Sequence, residues 1–94
     1  DFDSIVVALD EVESPEILSA RIEAMAKEQN ILRIKGYAAV KGKPMRLLVQ
    51  AVGSRVRAQY DRTWEPNEKR SGKMVVIAEH DSIVRSAIET ALKG

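Results

Sequence analysis

Apolar and polar positions change period along this chain, and each change marks an element. Phe2 to Leu9 (FDSIVVAL) is rich in apolar and β-branched residues and too short for a self-sufficient helix, which predicts a strand. Ser14-Pro15-Glu16 reads as a helix start. The Ser14 hydroxyl accepts from an orphan amide of the first turn, Pro15 lacks the amide that would go unpaired, and Glu16 lies against the positive helix end. Leu18, Ile22, Met25, Ala26 and Gln29 follow at helical spacing, and Asn30 tolerates the left-handed conformation that closes a helix.

The period then drops to two. Ile31 to Val40 (ILRIKGYAAV) sets Leu32 and Ile34 against Arg33 and Lys35, a strand with one dry and one wet face, and Gly36 predicts a bulge or bend within it. Lys41-Gly42-Lys43-Pro44 is a turn, and Met45 to Val52 (MRLLVQAV) completes a hairpin. Past Gly53-Ser54, Val56, Ala58 and Tyr60 alternate with Arg55, Arg57 and Gln59, which predicts a further antiparallel strand. Asp61 to Lys73 carries Pro66, Asn67 and Gly72 among charges and reads as a loop, with Trp64 expected to pin it by closing the end of the core. Met74 to Ala78 suits a central strand, Asp81 a helix N-cap, and Val84, Ala87, Ile88, Ala91 and Leu92 the apolar stripe of a second helix. Arg85 with Glu89, and Glu89 with Lys93, are spaced to pair on its exposed face.

The resulting order, β-α-β-β-β-β-α, predicts one α+β domain over residues 1–94: a largely antiparallel sheet of four to five strands with two helices packed on one face. The other face is left exposed or available to a neighbouring domain. Alternation along the strands would put Arg33, Lys35, Arg46, Arg55 and Arg57 together on it.

Composition narrows the chemistry. The 94 residues are 45% hydrophobic and 31% charged, which suits one core. The absence of cysteine excludes disulfides, thiolate nucleophiles and thiolate metal sites, so a metal here needs oxygen or imidazole ligands. The apolar run at the start is far below the roughly 18 residues a membrane span requires, and a cytoplasmic setting with no membrane partner is expected. The chain opens at Asp1 without a methionine, almost directly into a strand, which suggests a domain excised from a longer protein. Net charge is +1, but eight acids and two bases fall between Asp1 and Leu32, whereas Arg33 to Lys73 holds eleven bases and three acids. That basic block marks either an anionic partner or two surfaces of one domain attracting each other.

Neither G-x-x-x-x-G-K-[ST] nor G-x-G-x-x-G occurs, and a single histidine with no nucleophile elbow gives a serine triad no support, so no residue is assigned a catalytic or cofactor-binding role. Glu79-His80-Asp81 is the candidate metal contact, one imidazole between two carboxylates. The competing reading is an exposed histidine beside a helix cap. Nucleic acid is the weaker partner class: sheets that bind RNA interleave stacking aromatics with positive charge, and here Tyr37 and Tyr60 are the only possible platforms in the strands.

Between Ile31 and Gly53 the sequence reads ILRIKGYAAVKGKPMRLLVQAVG, followed by Asp61-Arg62, Trp64 and MVVIAEH, and preceded by FDSIVV. This ordered combination resembles the C-terminal domain of the CobW family of metal-handling GTPases over nearly the whole chain. By position the resemblance picks out Arg33, Lys35, Gly36, Gln50, Gly53 and Trp64. Ala51 and Ala78 stand where related sequences often have glycine, a difference of local backbone detail. The resemblance implies a full-length parent that uses GTP and a divalent metal, cobalt or zinc, with cobalt for cobalamin synthesis the expected use, and it places the nucleotide and metal motifs upstream. This domain would then dock, through residues such as Arg33, Lys35, Arg46, Gln50, Arg57 and Trp64, on the upstream GTPase domain, on a metal-receiving target, or on both. The alternative is a polyanion or nucleic-acid module using the basic sheet face.

Overall fold

The last strand in sequence lies between the first two. In a computed structural model that describes residues 1–94, the elements are β1 (Phe2–Leu9), α1 (Pro15–Glu28), β2 (Ile31–Ala38), β3 (Met45–Val52), β4 (Arg55–Thr63), β5 (Gly72–Glu79) and α2 (Arg85–Lys93). They form one sheet of order β1-β5-β2-β3-β4, antiparallel at every pairing. The β-α-β-β-β-β-α order and α+β class expected from periodicity are those observed. Because β5 is hydrogen-bonded on both edges and covered by helices on one face, it needs the near-continuous apolar run Met74 to Ala78.

Every buried side chain is apolar. Val7 and Leu9 of β1, Ile34 of β2, Leu47, Val49 and Ala51 of β3, and Met74, Val76 and Ala78 of β5 meet Leu18, Ile22 and Met25 of α1 and Ile88 and Leu92 of α2. No polar or charged residue is buried, so whatever chemistry the chain performs lies on its surface. Helix α1 starts as expected: the Ser14 hydroxyl accepts from the Ile17 N–H at 3.1 Å and Pro15 occupies the first turn. It ends with Asn30 in the left-handed region at φ 51°.

Several local expectations are corrected. Gly36 is not a bulge: it pairs regularly with Val49 and Met74, and the ladder irregularities fall between Ile31 and Arg33 and between Arg46 and Leu47. Glycine is required at 36 by proximity, since a Cβ there would run into the Lys73 carbonyl oxygen and lie 2.9 Å from Met74 Cα. Asp81 does not cap α2; Val84 holds that position without a side-chain bond, and Asp81 lies in the preceding turn at φ 62°. Val84 is exposed rather than part of the α2 stripe. Arg85 donates to the Val6 carbonyl at 3.1 Å and makes no ion pair with Glu89, which instead lies 3.9 Å from Lys93. Trp64 is not in the core cluster; it packs on the opposite side of the sheet.

Candidate functional site

Strand pairing fixes which side chains share the face that no helix covers. Across β1, β5, β2, β3 and β4 the register aligns Ser4, Ile77, Arg33, Val52 and Arg55 in one row; Val6, Val75, Lys35, Gln50 and Arg57 in the next; and Ala8, Lys73, Tyr37, Leu48 and Gln59 in a third. Paired residues of an antiparallel ladder project to the same side. The open face is therefore divided. Its β1–β5 half presents Val6, Val75 and, at the rim, Phe2, of which Phe2 is 69% and Val6 46% exposed. Its β2–β4 half presents Arg33, Lys35, Arg55 and Arg57.

Those four cations make no salt bridge, whereas Arg46, Arg62, Arg70 and Lys41 each hold a carboxylate. A shallow depression of about 130 Å³ between Leu48, Gln50, Arg57 and Gln59 sits within the cationic half.

Tyr37, in the middle of the third row, is held in a clamp. The Tyr37 ring meets Trp64 edge-on, Arg46 lies over Tyr37 with its guanidinium carbon 4.9 Å from the ring centroid, and Arg70 lies over Trp64 at 5.9 Å. Arg46 is also forked onto Asp61, its Nε 3.1 Å from Oδ1 and Nη2 2.5 Å from Oδ2, which holds the Asp61 carboxyl below its usual range. Arg62 grips Glu68 in the same manner at 2.6 and 2.8 Å. That fork, together with the Glu65 N–H, pushes the Glu68 pKa down to about 2. The loop of residues 64–71 is thus fastened over one end of the face.

At the opposite end lies the only histidine. His80 Nδ1 is 3.1 Å from Asp3 Oδ1, His80 Nε2 is 3.3 Å from Asp81 Oδ2, and the Asp81 N–H donates to Asp3 Oδ2 at 2.9 Å. The Asp3 carboxyl is held below its usual value, first by that backbone N–H and then by His80. Asp3, His80 and Asp81 form a group able to hold a metal ion, and Glu79 is not part of it.

Of the residues singled out from sequence, the structure brings Arg33, Lys35, Gln50 and Arg57 together on one face, commits Arg46 and Trp64 to the clamp, and separates Glu79 from His80 and Asp81. Sequence reasoning missed Asp3, which is 77 positions from His80 and carries no local signal. It also missed the apolar half of the open face, although the β1 alternation of Phe2, Ser4, Val6 and Ala8 holds the clue.

A helix-backed antiparallel sheet with one uncovered face, part apolar and part cationic, defines a class: a small α+β domain with an open sheet face. The chain belongs to the cobalamin synthesis protein CobW C-terminal domain family, whose model matches residues 2–94. It is 48% identical over 95 residues to a protein named zinc chaperone CobW from Sinorhizobium sp, covering 98% of this chain and 27% of that protein. It is 46% identical over 91 residues to a zinc chaperone CobW of Pseudomonas aeruginosa, covering 95% of this chain and 24% of that one. The chain thus spans about a quarter of the length of these curated relatives. Among solved structures, the Zn(II)-bound YjiA GTPase from E. coli superposes with a TM-score of 0.78 at 34% identity, over 97% of this chain and 28% of that one. A Zn(II)-bound triple mutant of YjiA superposes at 0.79 with 33% identity, over 100% and 30% respectively.

Proposed function

We propose that this chain is the accessory interaction domain of a GTP-dependent zinc chaperone, and that its open sheet face docks on the GTPase domain of the same polypeptide, on the metal-receiving target, or on each in turn. The observation that carries this reading is the face itself: exposed Phe2, Val6 and Val75 beside four cations without carboxylate partners. Apolar surface of this kind gains from being covered, and unpaired cations select an acidic counterpart. The two curated relatives carry zinc in their names, so zinc replaces cobalt as the metal proposed for the parent, and cobalamin synthesis is not needed to account for the domain. Catalysis is assigned upstream, and the setting proposed is the cytoplasm.

Deleting the domain from the full-length parent is expected to leave basal GTP hydrolysis largely intact while impairing zinc transfer. GTP turnover by the 94-residue chain alone would overturn the assignment.

The unpaired cations also favour a second reading, a polyanion-binding face. Titration with an oligonucleotide at two salt concentrations separates the two, because phosphate contacts make affinity fall steeply with salt.

A further inference from the structure

We infer that the free edge of β4 takes up an extended acidic segment of a separate partner protein as a further antiparallel strand, with Arg55 and Arg57 reading its carboxylates. This goes beyond docking on the open face, because a domain seated on the apolar half at β1 and β5 leaves β4, at the far end of the sheet, uncovered.

The two edges of the sheet are not alike. On β1 the Val6 carbonyl accepts from Arg85 at 3.1 Å. On β4 nothing in the chain bonds to the outer row from Arg55 to Tyr60. Val52 and Arg55 flank the two-residue turn Gly53-Ser54 and so exchange both ladder bonds, which turns the N–H and C=O groups of Val56, Ala58 and Tyr60 outward. Prolines and mid-strand bulges close many edges to other chains. Between Arg55 and Tyr60 there is neither, the ladder irregularity falling beyond them, beside Asp61.

What guards β4 is charge of one sign. Arg55 and Arg57 are exposed, project to the open face and hold no carboxylate within the chain. Antiparallel pairing with β4 of a second copy, centred on Val56 or Arg57, would set arginine opposite arginine, which is destabilising. The same side chains attract a strand with carboxylates at alternate positions, since unlike charges directly opposite one another stabilise a pair. On the other side of β4, Val56 packs against the core and Tyr60 is 36% exposed, so the intervening residues of the segment meet apolar surface. An alternating acidic and apolar sequence therefore fits both sides of the edge. Main-chain bonds supply affinity in this mode of recognition, and alternate side chains supply selectivity.

The test uses end-blocked peptides titrated into the nitrogen-15-labelled 94-residue chain. They are Thr-Glu-Val-Glu-Val-Glu-Thr, its counterpart with lysine for glutamate, and the acidic peptide N-methylated either at its valines or at its glutamates. The acidic peptide is expected to bind and to slow hydrogen exchange at the Val56, Ala58 and Tyr60 amides. Valine amides would face β4 and glutamate amides solvent, so N-methylation at valine should abolish binding and N-methylation at glutamate should be tolerated. The double variant Arg55→Glu with Arg57→Glu should weaken the acidic peptide at least about fivefold and admit the lysine peptide, with an unchanged thermal melt. Absence of binding by the acidic peptide, full binding by the valine-methylated form, or protection confined to β1 would overturn the inference. Any of these results alongside intact docking on the parent's GTPase domain would strike this inference and leave the docking reading standing.

Discussion

The ring of Trp64 meets that of Tyr37 at a centroid separation of 6.1 Å and an interplanar angle of 64°, on the side of the sheet away from both helices. The loop after β4 is therefore anchored to the open face of the sheet. The indole Nε1 is buried there without a hydrogen-bond partner, so what Trp64 contributes is apolar contact and its edge on Tyr37. Truncating a fully buried tryptophan costs about 3–5 kcal/mol, and for this half-buried ring Trp64→Ala is expected to cost about 2. Trp64→Phe, which deletes the unsatisfied donor while keeping a ring, should recover most of that loss in urea denaturation.

Gly36 and Gly53 should respond differently to alanine. At Gly36 the added methyl collides with backbone of β5 that cannot move without breaking two ladders, and about 3 kcal/mol or failure to fold is expected. At Gly53 no atom is within 4 Å and the strain is only that of φ +55°, worth about 1–2 kcal/mol. Thermal melts of the two variants test the contrast.

The Arg62–Glu68 fork sets an acid limit for the loop. The Glu68 carboxyl has its folded pKa depressed to about 2 from a usual 4.5. A depressed carboxyl contributes stability that is fully present above the higher value and is lost as pH falls through the lower one. Trp64 fluorescence is expected to hold from neutral pH to about 4.5 and to change as pH approaches 2. Glu68→Gln should loosen the loop at neutral pH and abolish this acid dependence.

Docking should be separable from folding. Arg33→Glu and Arg57→Glu remove exposed cations that hold no carboxylate, so stability should change by less than about 0.5 kcal/mol. Affinity for the parent's GTPase domain should fall about fivefold at low ionic strength, an effect that shrinks as salt screens it. Val6→Asp, in the apolar half, should weaken docking at every salt concentration. Fluorescence anisotropy across a salt series reads both.

The amino-acid sequence by itself determined the type and order of the elements and most of each dry face, although β4 runs on to Thr63 and β5 begins at Gly72, inside the segment read as a loop. Leu18, Ile22 and Met25 recur at helical spacing and are buried as that spacing requires, and the alternation from Arg55 to Tyr60 places Arg57 on the face opposite Val56 as a period of two must. These are local consequences of backbone geometry and need no knowledge of the neighbours. Only the tertiary structure decided the rest. Insertion of β5 between β1 and β2 sets Val75 beside Lys35 and Val6, dividing the open face into apolar and cationic halves. The same insertion carries Asp3 to His80, and the turn after β5 leaves the capping position of α2 to Val84 rather than Asp81. The two ladders flanking β5 impose the close approach that requires glycine at 36. Contacts between residues far apart in sequence depend on strand order and register, and a one-dimensional pattern of polarity does not encode which strand lies beside which.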